Sequence, residues 1–331
     1  MSDPRKILII QTASIGDVIL ATPLVESLSQ CYPGSKIDFL LKKGNESLLY
    51  GHPLIGKLLI WDKTKAKTAN LVRLVKQVRI ERYDIVVNAQ RFLSTGIITV
   101  FSGARIKSGF AKNPLAFFFT HKARHIIGKK GVHEVDRNLA LLSGIASQLV
   151  RKVSLYPSDP DYKTVEPYKN GRYLCIAPAS LWYTKQFPEE KWVELIKGAD
   201  KADALYLLGS PADHALCERI IAGSTRQNIE NLAGKLSFLE SAALMKDAAM
   251  NFVNDSAPMH LASAVNAPVT AIFCSTVTDF GFGPLSEDSA VVETREELRC
   301  RPCGLHGHDK CPEKHFKCAL TIDNKELLKR L

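Results

Sequence analysis

Two tandem series of short apolar runs alternating with helical periodicity, separated by Tyr156-Pro157-Ser158-Asp159-Pro160, constrain this chain more than any other feature. In the first series Lys6–Ile10 reads as a buried strand, followed by the polar turn Gln11–Gly16 and an apolar-periodic helix from about Asp17 to Gln30. Strands are then expected at Ile37–Leu41, Lys57–Trp61 and Tyr83–Asn88, with a helix over Ala69–Arg79. The second series places strands at Tyr173–Ala177, Ala204–Leu208, Met250–Val253 and Val269–Phe273. Its helices are expected at Pro188–Gly198, Leu236–Lys246 and Pro258–Val265. Strands that alternate with helices imply parallel sheets wound on both faces, an α/β architecture of two doubly wound domains. At 331 residues the chain is long enough for two cores. The domains are set at 1–160 and 161–331, the second carrying a cysteine-rich segment at 300–318 and a terminal helix at Asp323–Leu331. Loops at the carboxyl ends of two such sheets would line a cleft.

The longest apolar stretches, Ile7–Ile10 and Ala116–Phe119, are far too short to cross a bilayer, which argues against a polytopic membrane protein. Arg5 and Lys6 precede Ile7–Ile10, but Gln11, Thr12, Ser14 and Asp17 follow at once, so no signal-peptide apolar core develops. The expected location is the cytoplasm, with eight mostly reduced cysteines. Charge is divided unevenly. Residues 1–165 hold 25 Lys and Arg against 12 Asp and Glu, whereas residues 166–331 hold 19 against 22. A basic first domain suits either solubility or an anionic partner such as phosphorylated glycolipid, membrane surface or nucleic acid.

Four segments carry chemistry-bearing residues. The turn holding Ser14, Gly16 and Asp17 sits between a strand and a helix, where backbone N–H groups attract anions. It lacks both G-x-G-x-x-G and the Walker lysine, so neither dinucleotide binding nor a P-loop is supported. Asp17 reads either as a helix cap or as a general base facing a substrate hydroxyl. In Ala177–Pro188, Ser180, Thr184 and Lys185 follow a strand, and the lysine is either a phosphate neutraliser or a solvated loop residue. Asn254–His260 opens another helix after a strand, where Asp255 or Ser256 would cap it and its free N–H groups would meet a diphosphate. Basic residues interleave with aromatics from Ala104 to Lys130, as suits phosphate, lipid or single-stranded nucleic acid.

The cluster Cys300-x2-Cys303-x7-Cys311-x6-Cys318 has one zinc-like pair, but its second spacing is too long for a zinc ribbon. Structural zinc, reduced packing cysteines and reversible disulfides all remain open on spacing.

These motifs resemble glycosyltransferase family 9, the heptosyltransferases of the lipopolysaccharide inner core, over about residues 6–322. The strongest elements are Ile15-Gly-Asp-Val-Ile-Leu-Ala-Thr-Pro23, Val253-Asn-Asp-Ser-Ala-Pro-Met-His-Leu-Ala-Ser-Ala264 and the cysteine-rich end. Gly103-Ala104-Arg105 with Gly109-Phe110, His133-x3-Arg137, Lys185–Pro188 and Leu208-Gly209-Ser210-x2-Asp213 support them.

The resemblance implies a GT-B fold, two Rossmann-like domains facing a central cleft. It implies an ADP-heptose donor held mainly by the second domain, and a lipid-linked phosphorylated or acidic acceptor at the first, met at the inner membrane surface. Asp17 would be the general base of a single inverting displacement. Ser180, Thr184, Lys185, Ser210, Asp255, Ser256, Ala257 and His260 would line the donor site, and Ser14, Gly16, Arg105, Lys107 and Arg137 the acceptor side. No cofactor is required on this reading, no nucleic acid is expected, and zinc at Cys300, Cys303, Cys311 and Cys318 becomes less favoured. Ala257 replaces a glycine frequent in the family, and Gln186-Phe187 stand where arginine and tryptophan are common, which points to an altered sugar or nucleotide. The competing readings are a GT-B-like transferase or epimerase using another nucleotide sugar, and a non-catalytic module binding anionic lipid or nucleic acid.

Overall fold

A computed structural model describes residues 5–331, which divide into two units, one ending at Tyr156 and the other spanning Pro157–Leu331. The separation precedes residue 160 because Ser158 opens a helix of the second unit: its hydroxyl donates to Asp161 Oδ2 at 2.6 Å and its N–H at 2.7 Å.

The first unit contains β1 (Lys6–Ile10), α1 (Ile15–Ile19), α2 (Thr22–Cys31), β2 (Lys36–Lys42), β3 (Ile55–Trp61) and α3 (Lys67–Glu81). It continues with β4 (Ile85–Asn88), α4 (Leu93–Phe101), β5 (Ile106–Phe110), β6 (His121–Ala123) and α5 (Glu134–Leu139). All six strands are parallel in the order β3-β2-β1-β4-β5-β6, with Ile7 of β1 aligned to Ile37 of β2 and Ile85 of β4. Ile7–Ile10 are fully buried, as a central strand covered on both faces must be. The single helix expected from Asp17 to Gln30 is instead two. Pro23 cannot donate to the Ile19 carbonyl, and the Thr22 hydroxyl takes that acceptor at 2.8 Å, so the chain turns at Leu20–Ala21.

The second unit runs α6 (Asp159–Val165), β7 (Tyr173–Ala177), α7 (Glu189–Gly198), β8 (Ala204–Leu207), α8 (His214–Gly223), β9 (Ile229–Asn231) and α9 (Phe238–Asp247). It then adds β10 (Met250–Asn254), α10 (Ala257–Ala264), β11 (Val269–Phe273), β12 (Ser289–Glu293), α11 (Lys317–Leu320) and α12 (Asn324–Leu328). Its sheet is again six-stranded and parallel, in the order β12-β11-β10-β7-β8-β9. Trp192, Leu195 and Ile196 of α7 pack with Phe187, Leu205 and Phe252 in its core. No helix among the described residues is long and apolar enough to cross a membrane.

In each sheet the chain winds outward from an inner strand in both directions. The reversal falls between β1 and β4 in the first unit and between β7 and β10 in the second. Loops leaving the carboxyl ends of strands at such a switch point are where open α/β sheets bind ligands.

Candidate active site

At the first switch point the turn after β1 is held from several sides. Gln11 Nε2 donates to the Ala89 carbonyl at 3.3 Å, and Gln90 Nε2 donates back to Gln11 Oε1. Asn45 Nδ2 reaches the Ala13 carbonyl at 3.0 Å, and Lys63 Nζ donates to the Thr12 carbonyl and hydroxyl at 2.8 and 2.9 Å. Burial, reinforced by the charges of Lys42 and Lys67, lowers the Lys63 ammonium to about 8. Lys63 escaped the sequence reading. The strand order β3-β2-β1, all parallel, brings the exit of β3 near that of β1.

Ser14 caps α1, and Asp17 completes a capping box: the Ser14 hydroxyl and N–H both donate to Asp17 Oδ2, the latter at 3.1 Å. The cap reading of Asp17 is therefore realised in this geometry, but it occupies one carboxylate oxygen. Burial lifts the Asp17 carboxyl above the ordinary aspartate range. The Ser14 bonds and Arg91 oppose the rise, and Glu134 adds to it.

Gly16 is buried beside Asp17, Arg105 is exposed at the start of β5, and Lys107 is half-buried within it. Arg137 is only 3% exposed. Its guanidinium donates to Glu134 Oε2 at 2.5 Å and to the Ile126 and Val132 carbonyls at 3.3 and 3.1 Å. His125 Nε2 pairs with the other Glu134 oxygen at 3.1 Å. Burial works to raise Glu134, but the His125 bond and the His125 and Arg137 charges outweigh it and hold the carboxyl low.

At the second switch point Asn254 ends β10. Its Nδ2 donates to the Pro178 carbonyl at 2.7 Å, and its Oδ1 accepts the Phe187 N–H at 3.0 Å, so both ends of the 178–187 loop hang from one buried side chain. Phe187 anchors that loop in the core, edge-on to Trp192 at 5.2 Å. Between these anchors the half-buried Ser180 lends its carbonyl to Gln186 at 2.6 Å. A 3-10 turn over Tyr183–Lys185 then directs Lys185 back across the sheet. Lys185 Nζ lies 2.7 Å from Asp255 Oδ2, with side-chain exposures of 16% and 8%. The Thr276 hydroxyl donates to the same oxygen at 2.6 Å.

Ser256 holds the N-cap position of α10 but neither it nor Asp255 makes a side-chain cap: the Ser256 hydroxyl turns to the Ala179 and Asn254 carbonyls, and Asp255 is committed to Lys185 and Thr276. In the first turn of the helix Pro258 has no N–H and Met259 N–H donates to the Ser256 carbonyl at 3.1 Å, so the Ala257 N–H is the one presented at the helix start, next to a lysine. Ala257 is the first residue of α10 and half-buried, while His260 lies buried one turn on. Ser210 stands apart in use: its N–H and hydroxyl donate to Asp213 Oδ2 at 2.8 and 2.7 Å, capping the short turn Pro211–Asp213.

The cysteine-rich segment packs behind the lysine loop. Thr184 N–H donates to the His308 carbonyl at 3.0 Å, His308 N–H returns a bond to Thr184 Oγ1 at 2.8 Å, and Cys303 N–H donates to the Ser275 carbonyl at 2.8 Å. Cys300, Cys303, Cys311 and Cys318 line one cavity of about 250 Å3 with Thr184 and Ser275. All four are free thiols. Among the described residues no group of three or more His, Cys, Asp or Glu side chains is arranged to hold a metal ion. Burial and then Cys311 push the Cys318 thiol up to about 11, and burial with Cys300 and Cys311 raises Cys303, so these thiols stay protonated at neutral pH.

The profile of glycosyltransferase family 9 (heptosyltransferase) matches residues 71–314. The chain belongs to this family. Lipopolysaccharide heptosyltransferase 3 of Escherichia coli K12 is 30% identical over 283 residues, covering 79% of this chain and 80% of that protein. Lipopolysaccharide heptosyltransferase 1 of Pseudomonas aeruginosa is 25% identical over 317 residues, covering 90% and 86%. Among solved structures, E. coli ADP-heptose LPS heptosyltransferase II superposes with a TM-score of 0.80 at 21% identity, over 98% of this chain and 97% of its own. An E. coli heptosyltransferase solved with ADP gives 0.72 at 21%, over 86% and 92%. As a family 9 member the protein is a glycosyltransferase of GT-B fold, and the reading as a non-catalytic binding module is set aside.

Proposed function

We propose that this enzyme transfers heptose from ADP-heptose to an acceptor of the lipopolysaccharide inner core, by one inverting displacement. The observation that carries the donor half is the convergence of Lys185, Asp255 and the uncapped start of α10 at the switch point of the second sheet. A departing diphosphate gathers negative charge as the glycosidic bond breaks. An ammonium and the helix start with its Ala257 N–H are preorganised to take it. Asp255 fixes where the ammonium sits, and Thr276 fixes Asp255. Ser180, Thr184, Ser256, Ala257 and His260 complete the donor side, with Ser210 at the neighbouring strand exit.

On the acceptor side, Asp17 acts as general base, taking the proton of the acceptor hydroxyl as that oxygen attacks the anomeric carbon. A carboxyl raised by burial is a stronger base than an exposed aspartate, and Ser14 orients it through one oxygen. Gly16 lets the acceptor approach the turn, while Arg105 and Lys107 offer charge to a phosphorylated or acidic sugar. Arg137 acts at one remove by fixing the 126–132 loop. Because that acceptor is lipid-borne, the enzyme works peripherally at the cytoplasmic face of the inner membrane. The names of the curated relatives and of the ADP-bound neighbour support this choice of donor and acceptor.

The test is thermal stabilisation by ADP, UDP, GDP and NAD at matched concentrations, on wild type and Lys185→Ala. A ligand that binds only the folded form must raise its apparent stability. A selective ADP shift weakened by Lys185→Ala is expected. A larger shift with UDP or GDP overturns the donor assignment, and no shift with any nucleotide overturns the donor site itself.

A further inference from the structure

Between Asp84 and Glu134 the chain runs 49 residues without a carboxylate while carrying eight lysines and arginines. At the chain's average density that stretch would hold about five Asp and Glu. It folds as β4, α4, β5 and β6, the outer half of the first sheet.

The same stretch exposes apolar side chains beside buried, hydrogen-bonded ones. Phe119 is buried against Gly109, yet its neighbours Phe117 and Phe118 are 85% and 57% exposed and meet edge-on at 5.5 Å. Asn113 Nδ2 ties the β5 exit to the start of α4 through the Phe92 carbonyl at 3.0 Å, where Phe92 and Leu93 are themselves exposed. The buried Arg137–Glu134–His125 network holds the loop that presents Ile126, Lys129 and Lys130. Single exposed apolar residues are ordinary. Paired, exposed phenylalanines in a stretch that carries cations and no carboxylate form a surface suited to contact.

The composition decides the partner. In an isologous contact with a second copy, this carboxylate-free band would meet its own cations. Nucleic acid would use the cations and the aromatics but leave Leu93 and Ile126 without a role. An anionic bilayer takes both kinds of group at once: apolar side chains enter the acyl boundary and ammonium and guanidinium groups meet headgroup phosphates.

We propose that the β4–β6 edge of the first unit docks on anionic phospholipid, with Phe117 and Phe118 inserted and Lys112, Arg124, Lys129 and Lys130 on the headgroups. This deepens the reading above, which calls for a lipid-borne acceptor, and names the surface that meets its membrane.

The experiment is flotation of the full-length protein with vesicles of phosphatidylcholine alone or with about 30% phosphatidylglycerol, at low and high salt. Wild type, Phe117→Ser/Phe118→Ser and Lys129→Glu/Lys130→Glu are compared, each also scored for ADP stabilisation and for mass by light scattering. Wild type is expected to float only with anionic vesicles and to release at high salt. Each double variant is expected to partition roughly tenfold less or weaker, with ADP stabilisation unchanged. Equal flotation on neutral vesicles, no flotation, or variants that float like wild type overturn the proposal. So does a loss of dimer mass, or of single-stranded oligonucleotide binding, in variants whose flotation is unaltered. Normal flotation without an ADP shift in any protein leaves the docking surface standing and removes the donor reading instead.

Discussion

The ammonium of Lys185 stands 2.7 Å from Asp255 Oδ2, an oxygen that also accepts the Thr276 hydroxyl at 2.6 Å. The two charges come from loops that leave adjacent parallel strands, β7 and β10, at the point where the sheet reverses direction. The lysine is therefore held by the fold before any ligand arrives. On the donor reading proposed above, this arrangement would lower the ordering cost of binding a diphosphate.

The pair should be coupled in stability as well as in binding. Lys185→Ala leaves a largely buried carboxylate with only Thr276, and Asp255→Asn leaves a largely buried ammonium without its counter-charge. Each is expected to cost about 2–4 kcal/mol in urea unfolding. The double variant should cost at least about 1 kcal/mol less than the sum of the singles. Strict additivity would show that the two side chains do not act on each other.

Asp17 makes a separable prediction. Asp17→Asn retains a side chain that can face Ser14 but loses basicity, so kcat is expected to fall by about 10²–10⁴-fold while ADP stabilisation is retained. Since burial raises the folded carboxyl, the acid limb of kcat/KM should lie above the ordinary aspartate value of 3.8. Activity appears as pH rises through it. A variant with wild-type turnover would reduce Asp17 to its capping role.

What the sequence disclosed and concealed follows from burial and topology. β1, β7 and β11 lie inside parallel sheets, so Lys6–Ile10, Tyr173–Ala177 and Val269–Phe273 read as unbroken apolar runs with matching ends. The outer strands β5, β6, β9 and β12 mix polar with apolar residues, as in Ile-Lys-Ser-Gly-Phe of β5, and β6 and β9 are only three residues long, so they left no such run. Lys185 and Asp255 were legible because each sits in a strand-to-helix motif. Lys63 and Thr276 were not, since each reaches its partner only through the strand order of the finished sheet.

Lys63 gives a pH signature. Its ammonium is lowered from 10.5 to about 8 in the fold, so between those values the unfolded chain binds more protons than the native one. Stability therefore rises as pH climbs through that window. Lys63→Met removes this contribution and the bonds to Thr12. The wild-type urea midpoint is expected to gain on that of the variant between pH 8 and 10. Parallel pH profiles would place the Lys63 ammonium in solvent.

The cysteine-rich segment packs against the 178–187 loop at Gly307, which adopts φ +81°. A Cβ built there would stand 2.8 Å from Thr184 Oγ1 and 3.1 Å from Lys185 Cγ. Gly307→Ala therefore adds a left-handed penalty of about 1–2 kcal/mol and also pushes on the residue that carries the ammonium. Gly304→Ala supplies the comparison, because Gly304 has φ +70° but its Cβ would meet nothing nearer than His308 Nε2 at 3.9 Å. Both variants should lose stability through the left-handed backbone, Gly307→Ala the more because its Cβ also displaces the buried Thr184. Only Gly307→Ala should weaken ADP stabilisation and raise the donor KM, by roughly tenfold if the ammonium is displaced enough to lose one charge-assisted hydrogen bond. Equal effects of the two variants on donor KM would mean that the segment supports the fold without positioning Lys185.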